Sequence, residues 1–497
     1  MKPLGTITKY YRFLDGETRE ILDSIMASAY NYSNFTHLLV DRVCSEDSSD
    51  TLVLLAAIHT DHLVDFNLVK KLSEKYQEHL FARPFILRQS SYYMERPTGF
   101  EEAKDAIEHV FSTNPEDWIA FRMAALAYRI GGILSPGESY ELDALSKMET
   151  LVQSNESLSC FRHEFLSYQA YQYRSIDMTK YLQIAELALD GALQEDDIVH
   201  AVYVAKDIAL NNTDTKMMLA GLDKSMALCS KHGLSTLLSY MYNVRGIIHD
   251  TRGEFDAAIN CYLEAIELLE KTRSPTMAGL PGFLAWSYSE MGNGEEALEW
   301  ASMNLLTAKS QPHTLPSAYL LRARALIRLG RLDEARVDLD NGQEMALKVA
   351  NELLIQGVHL TTGLLEMAQD RPLDAMQSFE RSLEICERIG EQNTINSILL
   401  KLTECELSIL QVNDDTESAE HSGKWMERLE KVVIQKELPG IRGLLLLLKA
   451  ELRLKQSRRN EAKSLIREVR DLSGQPGLKF LNDRAATLET LSGHLDT

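Results

Sequence analysis

Four alanines recur at almost regular intervals in the second half of this chain of 497 residues. They are separated by 39, 38 and 40 residues, and each follows a turn residue by five positions. The alanines are Ala258, Ala297, Ala335 and Ala375, and the turn residues are Gly253, Gly292, Gly330 and Asp370. Repetition at a period of about 20–50 residues is typical of solenoids, in which each unit buries its apolar face against its neighbours. The spacing therefore predicts an array of helical repeats rather than an ordinary globular enzyme.

The composition is compatible with such an array. The chain is 45% hydrophobic and 25% charged, so it can bury a continuous core and is not expected to be disordered. It contains only 12 prolines and 26 glycines, which suits long helices, and alternating β-branched runs are scarce. We therefore expect nearly the whole chain to be helical.

The segment Met241–Lys271 resembles the tetratricopeptide repeat (TPR) in the order of its small, turn and large residues. The residues that carry the resemblance are, in order, Gly246, Gly253, Ala258, Tyr262 and Ala265. Small residues let the two helices of a repeat approach closely, and the large residue fills the gap beside them. Parts of the same pattern recur at Ala285, Tyr288, Gly292, Ala297 and Ala301, at Ala323, Gly330, Ala335 and Leu339, at Gly363, Ala375 and Phe379, and at Ala450, Ser457, Ala462 and Ile466.

This resemblance implies an all-α fold, namely a right-handed superhelical solenoid of antiparallel helix pairs. The repeats are longer than the standard unit of about 34 residues. The pattern divides the chain into four predicted regions. They are an N-terminal helical region (1–95), degenerate helical repeats (96–235), the TPR-like array (236–410), and a polar loop with a C-terminal repeat and capping helix (411–497).

The charge and the cysteines restrict the partners and the compartment. A net charge of −21 argues against nucleic acid or an anionic membrane as the main partner. One segment, Lys449–Arg470, carries eight basic and three acidic residues, and is either a solvated helix face or a contact for an anion. The six cysteines form no C-x-x-C pair, and the N-terminus lacks the apolar core of a signal peptide. We therefore expect reduced thiols and a cytoplasmic protein.

Motifs for catalysis are absent from the sequence. There is no phosphate-binding G-x-x-x-x-G-K-[ST] loop, and His163-Glu164 fails as a zinc-protease motif because Ser167 stands where the second histidine is needed. His59 and His62 share one helix face with Asp65 a turn further on, but such groupings often arise by chance. We therefore predict no enzyme activity, no metal and no cofactor.

The resemblance implies that the first helices of successive repeats line a concave groove. Carried over position by position, the predicted partner-binding residues are Asn243, Trp286 and Arg324, with Ile247, Ile327 and Leu364 as apolar contact area; Asp250 and Leu320 occupy equivalent positions. Such a lining suits a peptide or an amphipathic helix of a protein partner. Packing between repeats is the other explanation for each of these residues. The alternative function is a sensor or regulatory module that acts on a separate signalling or transcription protein.

Overall fold

The computed structural model describes residues 5–30, 32–63, 66–94, 99–134, 139–174, 176–211, 215–271, 279–309, 314–349, 351–389, 391, 394–412 and 423–494. Within these ranges the chain forms 26 α-helices and two short 3-10 helices, Tyr11–Phe13 and Glu156–Phe161, and no β-strand. The prediction of an all-α solenoid of antiparallel helix pairs is confirmed.

The first fourteen helices cover the N-terminal half of the chain. They are α1 (Gly5–Thr8), α2 (Gly16–Ser28), α3 (Tyr32–Ser45), α4 (Asp50–Leu63), α5 (Phe66–Tyr76), α6 (Arg83–Met94), α7 (Gly99–Ser112), α8 (Asp117–Leu134), α9 (Ser139–Ser154), α10 (Arg162–Tyr171), α11 (Met178–Gln194), α12 (Ile198–Leu210), α13 (Thr215–His232) and α14 (Ser235–Thr251).

The remaining helices cover the C-terminal half. They are α15 (Phe255–Lys271), α16 (Leu280–Met291), α17 (Gly294–Ala308), α18 (Leu315–Arg328), α19 (Leu332–Val349), α20 (Glu352–Ala368), α21 (Pro372–Ile389), α22 (Ile395–Val412), α23 (Lys424–Lys436), α24 (Pro439–Lys455), α25 (Arg459–Ser473) and α26 (Phe480–His494).

Two of these helices show how proline and glycine are used. Arg83-Pro84 opens α6, because proline is tolerated in the first turn where its missing N–H is not needed. Gly131 lies inside α8, where a Cβ would come within 3.0 Å of the Glu141 side chain of α9. Glycine is therefore used there for close helix packing.

The turn residues of the repeats share one backbone conformation. Gly253, Gly292 and Gly330 have φ values of 72°, 99° and 73°. The corresponding residues of the later repeats, Asp370 and Ser457, adopt the same left-handed region with φ values of 57° and 61°. This conformation reverses the chain after the first helix of each pair, and glycine reaches it at the lowest steric cost.

The small and large positions of the repeat meet at the helix crossings. A Cβ on Gly246 would lie 2.3 Å from the Tyr262 ring, and a Cβ on Gly363 would lie 2.6 Å from the Phe379 ring. Each glycine of a first helix therefore receives the ring of the second helix in the same pair. The four alanines that reveal the repeat are completely buried, as close packing of the two helices requires.

The contacts divide the chain into two compact units. Unit 1 comprises Met1–Met241 and Leu268–Pro275, and unit 2 comprises Tyr242–Glu267 and Thr276–Thr497. The boundary thus falls within α14 and α15. The division into four sequence regions remains a prediction.

In unit 2 the even-numbered helices, which are the first helices of the pairs, form a closed circuit. Successive members are linked by side chains such as Ser287 of α16, which donates to Asp250 of α14 over 2.7 Å. The circuit closes where Gly440 N–H of α24 donates to the Arg252 carbonyl over 3.2 Å, beside the α14–α15 turn. Asn396 of α22 also donates to the Thr251 carbonyl over 3.0 Å. The first and last repeats of this unit are therefore in direct contact.

In unit 1, too, the even-numbered helices contact one another. Phe121 of α8 stacks on Phe161, at the start of α10, with ring centroids 5.0 Å apart. His163 of α10 and His200 of α12 lie 5.2 Å apart by ring centroids. Tyr203 of α12 then donates its hydroxyl to the His62 carbonyl of α4 over 3.1 Å. Helices α4, α6, α8, α10 and α12 therefore surround a common centre.

Candidate functional site

A cavity of about 480 Å³ lies at the centre of unit 2. Its walls come from the even-numbered helices α14 to α24, together with a few residues of the odd-numbered helices and connections. Apolar side chains, including Ile247, Phe283, Leu320 and Leu321, supply much of the lining. A concave, mostly apolar cavity with a few polar groups is the usual form of a ligand site in proteins.

The guanidinium of Arg324 is the cation of this cavity. The residue is only 8% exposed, and its guanidinium carbon lies 4.9 Å from the ring centroid of Trp286 on the preceding even-numbered helix. Its Nε donates to the Thr361 hydroxyl over 2.9 Å, and one terminal nitrogen donates to the Gly357 carbonyl over 3.2 Å. Burial lowers the pKa of Arg324 to about 10, partly offset by the charge of Glu290. The Arg324 side chain is therefore held in place, but its positive charge is only partly compensated.

Two carboxylates also line the cavity. Burial alone would raise the pKa of Glu290. The charge of Lys401 and a hydrogen bond from the Ser397 hydroxyl, over 3.1 Å, lower it by more, so the pKa lies below its usual range. Asp250 behaves differently, because burial outweighs the groups that lower its pKa. Burial raises its pKa to about 7, although hydroxyl groups of Tyr262 and Ser287 each donate to it over 2.7 Å.

The structure brings together three of the six predicted partner-binding residues. Ile247, Trp286 and Arg324 all line the cavity, as do Asp250 and Leu320 at equivalent repeat positions. Their shared location follows from the repeat, because stacked pairs place equivalent first-helix positions on one face.

The other three predicted residues lie elsewhere. Asn243 is buried, and its Oδ1 has no hydrogen-bond partner among the residues that the structure describes. Ile327 and Leu364 are partly buried and pack against core clusters beside Leu339 and Phe379, respectively. For these two, packing between repeats is what the structure shows.

Two features of the cavity were not predicted from the sequence. Glu290 and Gln356 line it, although neither belongs to the recognised repeat pattern. The closure by α24 brings Ile441 into the wall as well. In the sequence, Glu290 could have been noticed only as a charged residue next to the positions of the repeat pattern.

A second polar centre lies in unit 1. The ammonium of Lys9 lies 2.6 Å from Glu164 Oε1 and 2.6 Å from Asp197 Oδ2. Arg122 pairs with both oxygens of Glu164 over 2.6 and 2.8 Å. Burial raises the pKa values of both carboxyls, but Arg122 and Lys9 outweigh it at Glu164, and Lys9 and the hydrogen bond with His163 outweigh it at Asp197, so both pKa values lie well below their usual range. The charges of this cluster therefore balance.

This charge balance bears on metal binding. Ligand atoms of His163, Glu164 and Asp197 lie within 4.8 Å of one another, a spacing that could hold a cation. The Lys9 ammonium already contacts both carboxylates, and Arg122 supplies the second positive charge. A divalent ion would add charge to a neutral cluster, so these residues fit an ion-paired core better than a metal centre.

The histidine pair suggested by the sequence is also accounted for by hydrogen bonding. Nδ1 of His59 and of His62 lie 2.7 and 3.2 Å from the Tyr32 hydroxyl. Burial lowers the pKa of His62 to about 4 and the pKa of His59 well below its usual value. Asp65, the third member of the predicted set, lies outside the described residues.

The basic segment Lys449–Arg470 is largely ion-paired. Lys449 pairs with Glu430, Arg453 and Arg458 with Glu461, and Arg470 with Glu489. These pairs are mostly exposed, as on a solvated helix face. They reduce the positive charge that this segment could offer to an anion.

Comparisons with known proteins agree with the fold. Models of the tetratricopeptide repeat match residues 239–271 and 316–337, which include the unit with the clearest sequence pattern. The chain is thus a helical-repeat protein, and these two segments are similar to tetratricopeptide repeats. Such repeats are typical of protein-interaction and regulatory modules. A search of curated proteins by sequence finds no match.

Three solved structures are similar to the chain at low identity. A Rap protein complexed with competence and sporulation factor shares 16% identity, over 67% of this chain and 99% of that one, with a TM-score of 0.40. Aspartyl phosphate phosphatase F from Bacillus subtilis shares 15%, over 64% and 96%, with a TM-score of 0.33. A signal transduction ATPase with a tetratricopeptide repeat sensor from Pyrococcus horikoshii shares 10%, over 88% and 74%, with a TM-score of 0.33.

No helix within the described ranges combines the length and the apolar character needed to cross a membrane.

Proposed function

We propose that the protein is a non-enzymatic interaction scaffold, and that the cavity of unit 2 binds a peptide or helix of a protein partner. The observation that carries this proposal is the shared position of Trp286 and Arg324 in one apolar cavity. Tryptophan and arginine are the residue types that most often dominate binding energy at protein interfaces. In this cavity they are stacked on each other, so their orientation is fixed before a ligand arrives.

Preorganisation supports the role of Arg324. The two hydrogen bonds to α20 hold the guanidinium plane, and the Trp286 ring covers one of its faces. A side chain that is already ordered loses little conformational entropy on binding. The apolar side chains of Ile247 and Leu320 then supply contact area that excludes water from the charged group.

We propose a reducing compartment, the cytoplasm, for this function. All six cysteines are free thiols, and five of them are buried. Burial raises the pKa of Cys229 and of Cys405 to about 12, which keeps these thiols protonated and unreactive. Such cysteines act as small apolar side chains in the repeats.

Selection from a random peptide library on the purified full-length chain tests the proposal. Peptides that bind are measured against the wild type, Trp286→Ala and Arg324→Met. We expect each substitution to weaken binding by about thirty-fold, which corresponds to a loss of about 2 kcal/mol. Arg336→Met is the matched control, because Arg336 is exposed on α19 and lies away from the cavity lining.

Two measurements make the result interpretable. Circular dichroism melting identifies variants whose fold has changed, and a titration at low and high salt separates the cavity from charged surfaces. Peptide binding that is unaffected by both cavity substitutions but collapses with salt would assign the site to Lys449–Arg470 instead. An absence of any selected peptide would count against peptide binding by this chain.

A further inference from the structure

The centre of unit 1 is filled by the first described residues of the chain itself, Gly5–Leu14. This segment contains only a four-residue α-helix and a three-residue 3-10 helix. Ile7 and Tyr10 are nevertheless completely buried. Helices this short are not stable in isolation, so contacts with the surrounding helices impose the conformation, as they do for a bound peptide.

Lys9 makes the central contact of the segment. Its ammonium reaches Glu164 of α10 and Asp197, the N-cap residue of α12, each over 2.6 Å. Both carboxylates are almost completely buried and come from sequence positions more than 150 residues away. Without this ammonium, Asp197 would keep His163 as a partner, at 3.0 Å, but no lysine or arginine among the residues that the structure describes.

The aromatic side chains of Tyr10 and Phe13, which follow Lys9 in the segment, pack against other aromatic rings. The Tyr10 ring lies against Trp118 and Phe161, with centroids 6.0 and 5.8 Å away. The Phe13 ring stacks on the same two rings, with both centroids at 5.8 Å. Edge-to-face and stacked aromatic pairs at these distances add orientation as well as buried area.

The start of the segment is held through its backbone and a hydroxyl. Gly5 N–H donates to the Asp196 carbonyl over 2.9 Å. The Thr6 hydroxyl donates to Asp197 Oδ1 over 2.6 Å and accepts from Val199 N–H over 3.3 Å. The surrounding helices therefore contact several successive residues of the segment, as peptide-binding sites do when they select a sequence.

The location of the segment within its unit is informative. The groups that hold it belong to α8, α10 and α12 and to the residues that directly precede α10 and α12, which are part of the even-numbered layer of unit 1. In unit 2 the same layer surrounds a cavity. The two units thus share one construction, and in unit 1 a terminal segment of the chain takes the central position.

We propose that Gly5–Leu14 is a detachable intramolecular ligand, and that the centre of unit 1 is a binding site for a protein segment in which a lysine is followed directly by an aromatic residue. The anionic pair Glu164 and Asp197 selects the lysine, and the rings of Trp118 and Phe161 select the aromatic residue. The chain's own segment keeps this site closed until a competing segment displaces it. This site is separate from the cavity proposed above and does not depend on it.

A cleavable form of the full chain tests this proposal. A protease recognition sequence is inserted between Leu14 and Asp15, which keeps Asp15 as the N-cap of α2. After cleavage, a fluorescent peptide of residues 1–14 should replace the cleaved segment with saturable one-to-one binding. A Lys9→Met peptide should bind at least ten-fold more weakly, because both buried carboxylates would lose their shared cation.

An Arg12→Met peptide is the matched control for charge. It loses one positive charge like the Lys9→Met peptide, but the Arg12 hydrogen bond within the described part of the chain is to the Ser157 carbonyl, at the exposed edge of the site. We expect its affinity to stay within about three-fold of the parent. Equal binding of the parent and the Lys9→Met peptide, or no exchange at any concentration, would overturn the proposal.

Hydrogen exchange on the uncut wild type decides the case in which the cleaved chain unfolds. The amides of Lys9 and Tyr10 should exchange at least ten-fold faster than the Ala201 amide inside α12, and an excess of unlabelled peptide should accelerate them further. Exchange of all three amides at the rate of global unfolding would show that the segment is a fixed part of the core, and the proposal would then be wrong.

Discussion

At the scale of single residues, function and packing compete for the same repeat positions. Trp286, Arg324 and Leu364 stand at equivalent positions on successive first helices, and Trp286 and Leu364 both pack, partly buried, against the same apolar cluster, yet Trp286 and Arg324 line the cavity and Leu364 does not. The difference arises because the closed circuit of unit 2 turns some first-helix positions towards the cavity and covers others. A repeat pattern specifies which residues share a face, but the contacts of each helix decide which of them a ligand could reach.

The glycine at the helix crossing provides a test at this scale. Gly363→Ala places a methyl group 2.6 Å from the Phe379 ring, so the ring must move. We expect a net loss of about 1–3 kcal/mol in the free energy of unfolding, although alanine favours the helix by up to about 1 kcal/mol. Urea titration measures this, with Gly474→Ala as control, because its nearest neighbour would be 3.6 Å away. Equal stability of the two variants would show that the crossing can relax.

At the scale of the helix pair, the turn residue adopts the same left-handed conformation in five pairs: α14–α15, α16–α17, α18–α19, α20–α21 and α24–α25. Three repeats use glycine in left-handed geometry, whereas Asp370 and Ser457 adopt it with a side chain. A side chain in this region costs of order 1–2 kcal/mol, less for aspartate, which forms local hydrogen bonds. The later repeats therefore keep the shape of the turn at a cost in stability.

Ser457→Gly should recover part of that cost. Ser457 is exposed with a φ of 61°, so we expect the free energy of unfolding to rise by about 1 kcal/mol, measured by urea titration. Gly330→Ser is the reverse control, since its φ is 73° and a Cβ there would meet nothing within 4 Å. It should destabilise the chain by a similar amount. Changes of the same sign in both variants would contradict this account of the turn.

The sequence predicted the helix pairs but not the contact between the first and last repeats of unit 2, because only the pairs depend on local patterns. The crossing of Gly246 and Tyr262, the left-handed turn at Gly253 and the cap at Asp15 all depend on residues close together in the chain. The contact of Gly440 with Arg252, and that of Lys9 with Glu164, join residues more than 150 positions apart. Periodicity carries no information about such contacts, so neither the cavity of unit 2 nor the central segment of unit 1 could be predicted from spacing.

At the scale of the whole molecule, the two units use one construction with different centres. Unit 1 surrounds charged pairs and neutral histidines, including His62 and His200, whose pKa values burial lowers to about 4. Unit 2 surrounds a cavity in which burial raises the pKa of Asp250 to about 7. The two centres therefore respond to acid in opposite senses.

The final prediction concerns this response to acid. A histidine whose pKa is lower in the folded than in the unfolded chain stabilises the fold fully above about pH 6.5, and that contribution is lost as the pH falls towards 4. His62 and His200 should each remove about 2 kcal/mol from the stability of unit 1 between pH 7 and pH 5. The carboxyls of Glu164 and Asp197, with lowered pKa values, lose their contribution only in stronger acid.

Unit 2 should behave differently over the same interval. Asp250, with its raised pKa, binds a proton in the folded state first, so acidification to pH 5 favours the fold there. The lowered pKa of His359 acts in the opposite direction and offsets part of this gain. Hydrogen exchange followed by mass spectrometry, corrected for intrinsic rates, should show α8 and α10 losing protection at pH 5 while α18 and α20 retain it. His200→Gln should reduce the loss in unit 1 by about 2 kcal/mol, and equal loss of protection in both units would contradict the assignment of acid sensitivity to these histidines.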